Sequence, residues 1–164
     1  MIPLVLTVVG PYDPGIVPSL SRVVADHEGN WNESQLVCLA GRFAGVVKVT
    51  VPEAQEAALV GQLEAMEGVR FLIERGTDTS LAGELHEVEV TATDRAGIVR
   101  DVTAAVAAHD GQLERIHTDY VSAPMAGGVL FSARMRVRIA DAGALEAALQ
   151  RIADDLLVDL QPVE

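Results

Sequence analysis

The chain is written twice. Gly15 and Gly97 each follow an alternating apolar run and each heads the tripeptide Gly-Ile-Val. The same shift of 82 residues then places Val24 on Val106, His27 on His109 and Gly29 on Gly111. A repeat this long means one supersecondary unit used twice, so the fold has to divide 164 residues into two like halves. Further on, Phe43 falls on Phe131 only at a shift of 88, so the second half carries six additional residues around "SAPMAGG", which a longer hairpin loop accommodates. Between the copies lies "GTDTSLAG", Gly76 to Gly83, rich in turn formers and without apolar periodicity. The expected organisation is a first domain over 1–76, a linker over 77–83 and a second domain over 84–164.

Local patterning gives each copy the order strand, helix, strand, strand, helix, strand. Leu4 to Val9 alternates as a half-buried strand does. Ile16, Val17, Leu20, Val23 and Val24 share one helical face, with His27 near its end and Gly29 as the expected positive-φ stop. Asn30 to Ala40 and Arg42 to Val51 are two extended runs divided at Gly41, Pro52 opens a helix that runs to Met66, and Val69 to Glu74 closes the unit. The second copy repeats this as Glu84 to Thr93, a helix to His109, Gln112 to Val121, Val129 to Ile139, a helix from Asp141 and a strand near Leu156 to Leu160. The expected fold class is α+β: two ferredoxin-like βαββαβ units in tandem, antiparallel sheets with helices on one face. A single larger α/β domain is the alternative. The short strand-to-strand connection inside each copy argues against it, because parallel neighbours need a crossover there.

A glycine between a strand and a helix exposes free backbone N–H groups, and the helix dipole there favours a small anion such as a carboxylate. Asp94, and by a looser alignment Asp13, adds an acceptor beside those donors. Donors for a carboxylate next to an acceptor for an ammonium suit a zwitterion, and a free amino acid is the obvious candidate. The plainer reading stays open: aspartate before a helix is a routine cap, and glycine in a turn can serve only the backbone. Neither corner has the further glycines of a dinucleotide-binding fingerprint.

With two βαββαβ units, a "DRAGIV" loop and "HTDYVSAPMAGGVLF" in the second unit, the chain resembles tandem ACT domains, and within them the glycine cleavage system transcriptional repressor family. The resemblance implies a small-molecule regulatory module, often specific for amino acids. It also implies a ligand lodged between two domains, touching the first loop of one and the second strand of its neighbour. Carried to matching positions, the loop residues are Asp13, Gly15, Ile16 and Val17 in the first unit and Asp94, Gly97, Ile98 and Val99 in the second. The strand residues are Asn30 and Asn32, with Gln112 and Glu114 as their unequal counterparts. The first loop reads "YDPG" where the second reads "DRAG", so its aspartate stands one residue nearer the glycine.

Twelve Lys and Arg against 24 Asp and Glu give a formal charge of −12, a field that repels phosphate backbones and anionic lipid. Direct nucleic-acid or membrane binding is therefore not expected, and no stretch approaches the roughly 20 apolar residues of a membrane span. "MIPLVLTVV" lacks a basic start and reads as a strand rather than a signal peptide. Cys38, the one cysteine, sits in an apolar strand and suits a reducing cytoplasm. Arg134, Arg136 and Arg138 alternate on one strand; they could form a docking stripe, or pair across the sheet with Glu87 and Glu89. His27 and His109 end equivalent helices and read as caps, and no histidine pair has zinc spacing. Trp31 reads as a packing residue.

No serine lies in a nucleophile elbow and no carboxylate set is singled out by spacing, so no enzyme, cofactor or metal is expected. The expected function is that of a cytoplasmic, non-catalytic regulator. It senses a small effector, an amino acid such as glycine, and acts on transcription through a protein partner, a transcription activator by the family resemblance. Unpaired sheet edges favour a homo-oligomer. The alternative is a structural protein-interaction module without a small-molecule ligand.

Overall fold

The computed structural model describes residues 1–77, 81–123 and 128–163. The chain divides into two compact units, residues 1–79 and 80–164. The first runs β1 (Ile2–Pro11), α1 (Ile16–Asp26), β2 (Asn30–Leu39), β3 (Arg42–Val51), α2 (Glu56–Glu64) and β4 (Arg70–Arg75). The second runs β5 (Glu84–Thr93), α3 (Ile98–Ala108), β6 (Gln112–Ala123), β7 (Gly128–Ile139), α4 (Ala142–Gln150) and β8 (Leu157–Pro162). The sheets have the orders β2-β3-β1-β4 and β6-β7-β5-β8, with every pairing antiparallel. Both are four-stranded ferredoxin-like sheets, as the repeat requires.

Strand alternation decides which face is covered. Leu4, Leu6, Val47, Val49 and Val51 point to one side of the first sheet and bury against Leu20 and Val24 of α1 and Leu59 and Leu63 of α2. Val88, Val90, Met135 and Val137 do the same against Val102, Val106, Leu145 and Leu149. The few aromatics leave these cores to aliphatic side chains, which interdigitate well between a pleated sheet and helices. Asp141 caps α4, accepting from the Ala144 N–H at 2.9 Å.

Three local features differ from the expected ones. Gly29 is not the positive-φ stop of α1: Glu28 takes that conformation at φ 58, as Asp110 does at φ 54 after α3. The bonds Gly29 N–H to Val24 O and Glu28 N–H to Ala25 O form the two-bond helix terminator whose left-handed residue is the acidic one. Glycine is needed at the next position for space, since a Cβ on Gly29 would stand 2.8 Å from Val24 O and one on Gly111 2.8 Å from Val106 O. Second, a 3-10 turn over Glu53–Gln55 intervenes between Pro52 and α2. Third, the extra length of the second unit is not all loop. β6 and β7 each span 12 residues where β2 and β3 span 10, so most of the insertion extends the ladder. Pro124 to Gly127, within the expected longer loop, lie outside the described residues, as do residues 78–80 of the expected linker.

Candidate functional site

The two glycine corners share their backbone connections. Ile16 N–H reaches Asp13 O and Ile98 N–H reaches Arg95 O; Ser19 N–H reaches Gly15 O and Asp101 N–H reaches Gly97 O. These bonds set Asp13 on Arg95 and Tyr12 on Asp94, so the two aspartates are not structural equivalents.

The first corner is closed by its own side chain. Asp13 Oδ1 accepts the Gly15 N–H at 2.7 Å. Pro14 and Gly15 form the turn that leads into α1, and this bond closes it. Gly15 itself is right-handed, at φ −79.

The second corner has another geometry. Gly97 is left-handed at φ 86, and no side chain caps α3. A hollow of about 380 Å³ lies there, lined by Asp94, Arg95, Ala96, Gly97, Ile98, Val99, Tyr120 and Phe131. Arg95 Nη2 contacts Asp101 Oδ2 at 2.8 Å, and Arg100 Nη2 contacts Asp101 Oδ1 at 2.9 Å. The hydrogen bonds from Arg95 and then Arg100 hold the Asp101 carboxyl below the ordinary aspartate range. Asp155, from the turn before β8, accepts the Thr93 N–H at 3.0 Å, and hydrogen bonding from Thr93 likewise holds it low. The corner therefore combines a helix start without a side-chain cap, a guanidinium, an aspartate and a phenol around one opening.

Of the loop residues expected at the site, Ile16 and Ile98 turn their side chains into the cores and offer only backbone. Val17 and Val99 are exposed. The strand residues are not brought to the corners of their own units. Asn30 pairs with Thr50 and Gln112 with Arg138, each seven residues along the strand from the Phe43 or Phe131 beside the corner. That is about 24 Å of extended chain. Asn32 and Glu114 fall in a β-bulge that both units share, between Trp31 and Glu33 and between Leu113 and Arg115. Glu114 is ion-paired with Arg138.

Tyr120, Arg95 and Asp155 are residues that sequence reasoning passed over. Tyr120 was legible in principle, since it lies opposite Phe131 in the β6–β7 ladder; Asp155 was not, because 62 residues separate it from its partner. Cys38, expected to be embedded, is exposed on β2, an edge strand. Trp31 packs against the first core. His27 and His109 make matching Nδ1 contacts with Val23 O at 2.8 Å and Ala105 O at 2.9 Å, as helix-end caps do. Among the described residues no group of three or more His, Cys, Asp or Glu is placed to hold a metal, and no helix is long and apolar enough to cross a membrane.

Comparison with known proteins agrees with the duplication. An unknown protein from Galdieria sulphuraria superposes with a TM-score of 0.87 at 28% identity, over 99% of both chains. A protein provisionally named a glycine cleavage system transcriptional repressor superposes with a TM-score of 0.65 at 17% identity, over 99% of this chain and 98% of that one. No curated protein matches the sequence. Residues 3–68 match the ACT domain family, so the first unit is an ACT domain, and the second half repeats the same βαββαβ fold.

Proposed function

We propose that the chain is a non-catalytic, cytoplasmic regulator in which the Gly97 corner holds the carboxylate of a free amino acid such as glycine. The observation that carries this reading is the contrast between the corners. In one, Asp13 takes up the Gly15 N–H, while the other keeps a left-handed glycine and a hollow of about 380 Å³. The Val99 N–H and the Arg95 guanidinium serve the carboxylate, Asp94 serves the ammonium, and Tyr120 covers the side chain. Gly15, Ile16 and Val17 would bind only if Asp13 swung away. Asn30, Asn32, Gln112 and Glu114 could reach a corner only from another unit, which accords with residues 1–76 and 84–164 acting as separate domains joined by 77–83 and with a homo-oligomer.

Ligand binding alters the equilibrium between arrangements only through its differential affinity for them. The readout is a protein partner in transcription, a transcription activator by likeness to the provisionally named repressor. Calorimetric titration with a panel of amino acids tests the reading: one ligand per chain is expected, lost in Arg95→Gln and Asp94→Asn. Silence across the panel, glycine included, refutes it and leaves the second reading, an interaction module, which the sealed first corner favours.

A further inference from the structure

The helix-free face of the second sheet carries a charge arrangement that the fold does not require. Four of the chain's twelve basic residues lie there, Arg115 on β6 and Arg134, Arg136 and Arg138 on β7. The register sets Arg115 directly opposite Arg136 and His117 directly opposite Arg134. Like charges facing each other across a ladder, as Arg115 and Arg136 do, destabilise a sheet. In the first unit the same two places hold Glu33 opposite Lys48 and Gln35 opposite Val46, an attractive pair and a neutral one. One scaffold thus avoids the repulsion that its copy accepts.

Nearby acids only partly compensate. Arg134 Nε stands 3.8 Å from Glu89 and Arg136 Nε 3.7 Å from Glu87, beyond hydrogen-bond length, and Glu114 is engaged by Arg138. Arg136 Nε is shielded from solvent and has no hydrogen-bond acceptor. Arg115 has no ion-pair partner among the described residues. A hollow of about 240 Å³ is lined by Glu87, Arg115, His117, Arg134, Met135 and Arg136. It is smaller than the roughly 300 Å³ at which drug-sized pockets begin, and its cations outnumber its single carboxylate.

We propose that this hollow is a binding site for a small doubly charged oxyanion, a phosphate monoester or a dicarboxylate, gripped by the guanidinium forks of Arg115, Arg134 and Arg136. The anion supplies the acceptor that Arg136 lacks and cancels the repulsion across β6 and β7. This site is separate from the Gly97 corner and does not depend on the amino-acid reading.

Thermal unfolding of the full chain, at constant ionic strength in chloride, is followed while inorganic phosphate or succinate is added at low millimolar concentration. A saturable rise in the second unit's transition with either anion supports the site, and which anion gives it assigns the ligand to the phosphate or the dicarboxylate kind. Arg115→Glu, which copies the first unit's Glu33, is expected to raise the transition of the anion-free protein by roughly 4 °C and to abolish the anion-dependent rise. Should that variant fail to fold, the Arg136 Nε–H resonance of the unaltered protein is followed by NMR and is expected to move on titration. No rise with either anion, a rise that survives Arg115→Glu, or an Arg136 resonance that stays in place overturns the proposal.

Discussion

Replacing each corner glycine by alanine tests the divergence of the two copies. Gly97 has φ 86 and Gly15 φ −79. In both, the added Cβ meets the end of one flexible side chain at 3.1 Å, Arg100 Nη2 at Gly97 and Asp13 Oδ1 at Gly15. Steric cost is therefore similar at the two sites. Both variants also gain about 0.4–1 kcal/mol from a stiffer unfolded chain, and that gain cancels in the difference. What is left is the strain of a non-glycine residue in the left-handed region, about 1–2 kcal/mol. Gly15→Ala is expected to be near neutral, and Gly97→Ala to lower stability by about 1 kcal/mol, or about 4–8 °C for a unit of this size. Urea unfolding reads the effect by far-ultraviolet circular dichroism, with Trp31 fluorescence reporting the first unit alone, since it is the only tryptophan. Equal costs for the two variants would refute the claim that only one of the two corners requires a left-handed residue.

Gly45→Ala should destabilise the first unit by about 3 kcal/mol, because its Cβ collides with Gln35 O and lies 2.8 Å from Leu36 Cα, backbone that can yield only by parting β2 from β3. Denaturant midpoints followed through Trp31 check it, and a loss below about 1 kcal/mol contradicts it. Glu28→Gly should stabilise by about 0.5–1 kcal/mol, by removing a side chain from a left-handed helix terminus, and a lower melting temperature argues otherwise. Asp101 and Asp155 are held below the ordinary aspartate value of 3.8, so their contribution is present above that pH and is lost as pH falls through their lower folded values. Asp155→Asn should therefore flatten the acid limb of the second unit's stability profile, measured by melting temperature from pH 6 downward; an unchanged limb removes Asp155 from the account.

How much of this was legible depends on the range of the interaction. The duplication, the alternating strands and the glycine corners are written in neighbouring residues, and the sheet topology follows from them because a short strand-to-strand connection forces antiparallel pairing. The pairing of Arg134 with Glu89 and Arg136 with Glu87 was legible too, since period-two alternation fixes which side chains share a face. The left-handed residue at the end of α1 was misplaced because glycine is the usual occupant. Here crowding by Val24 claims the glycine one position later, and crowding is a tertiary fact. The shared bulge at Asn32 and Glu114 left no mark in composition. The Asp155 contact at the second corner and the charge opposition of Arg115 and Arg136 both needed the register of strands distant in sequence.

The two copies keep the same inward rows and part company outward. Leu59 and Leu63 correspond to Leu145 and Leu149, and Val49 to Val137, all buried. Packing alone accounts for that, because every inward position faces a helix at fixed distance. Packing does not account for Asp13 standing where Arg95 stands, nor for Glu33 standing where Arg115 stands. Relaxed surface positions are free to settle on neutral or attractive pairs, as Glu33 and Lys48 have done. The second unit instead holds a left-handed glycine and two opposed guanidinium groups, and that opposition lowers its stability when nothing is bound. Repulsion placed beside an opening of about 240 Å³ accords with the oxyanion site proposed above. The first unit, with its corner closed by Asp13 and Glu33 set opposite Lys48, has the makings of the scaffold.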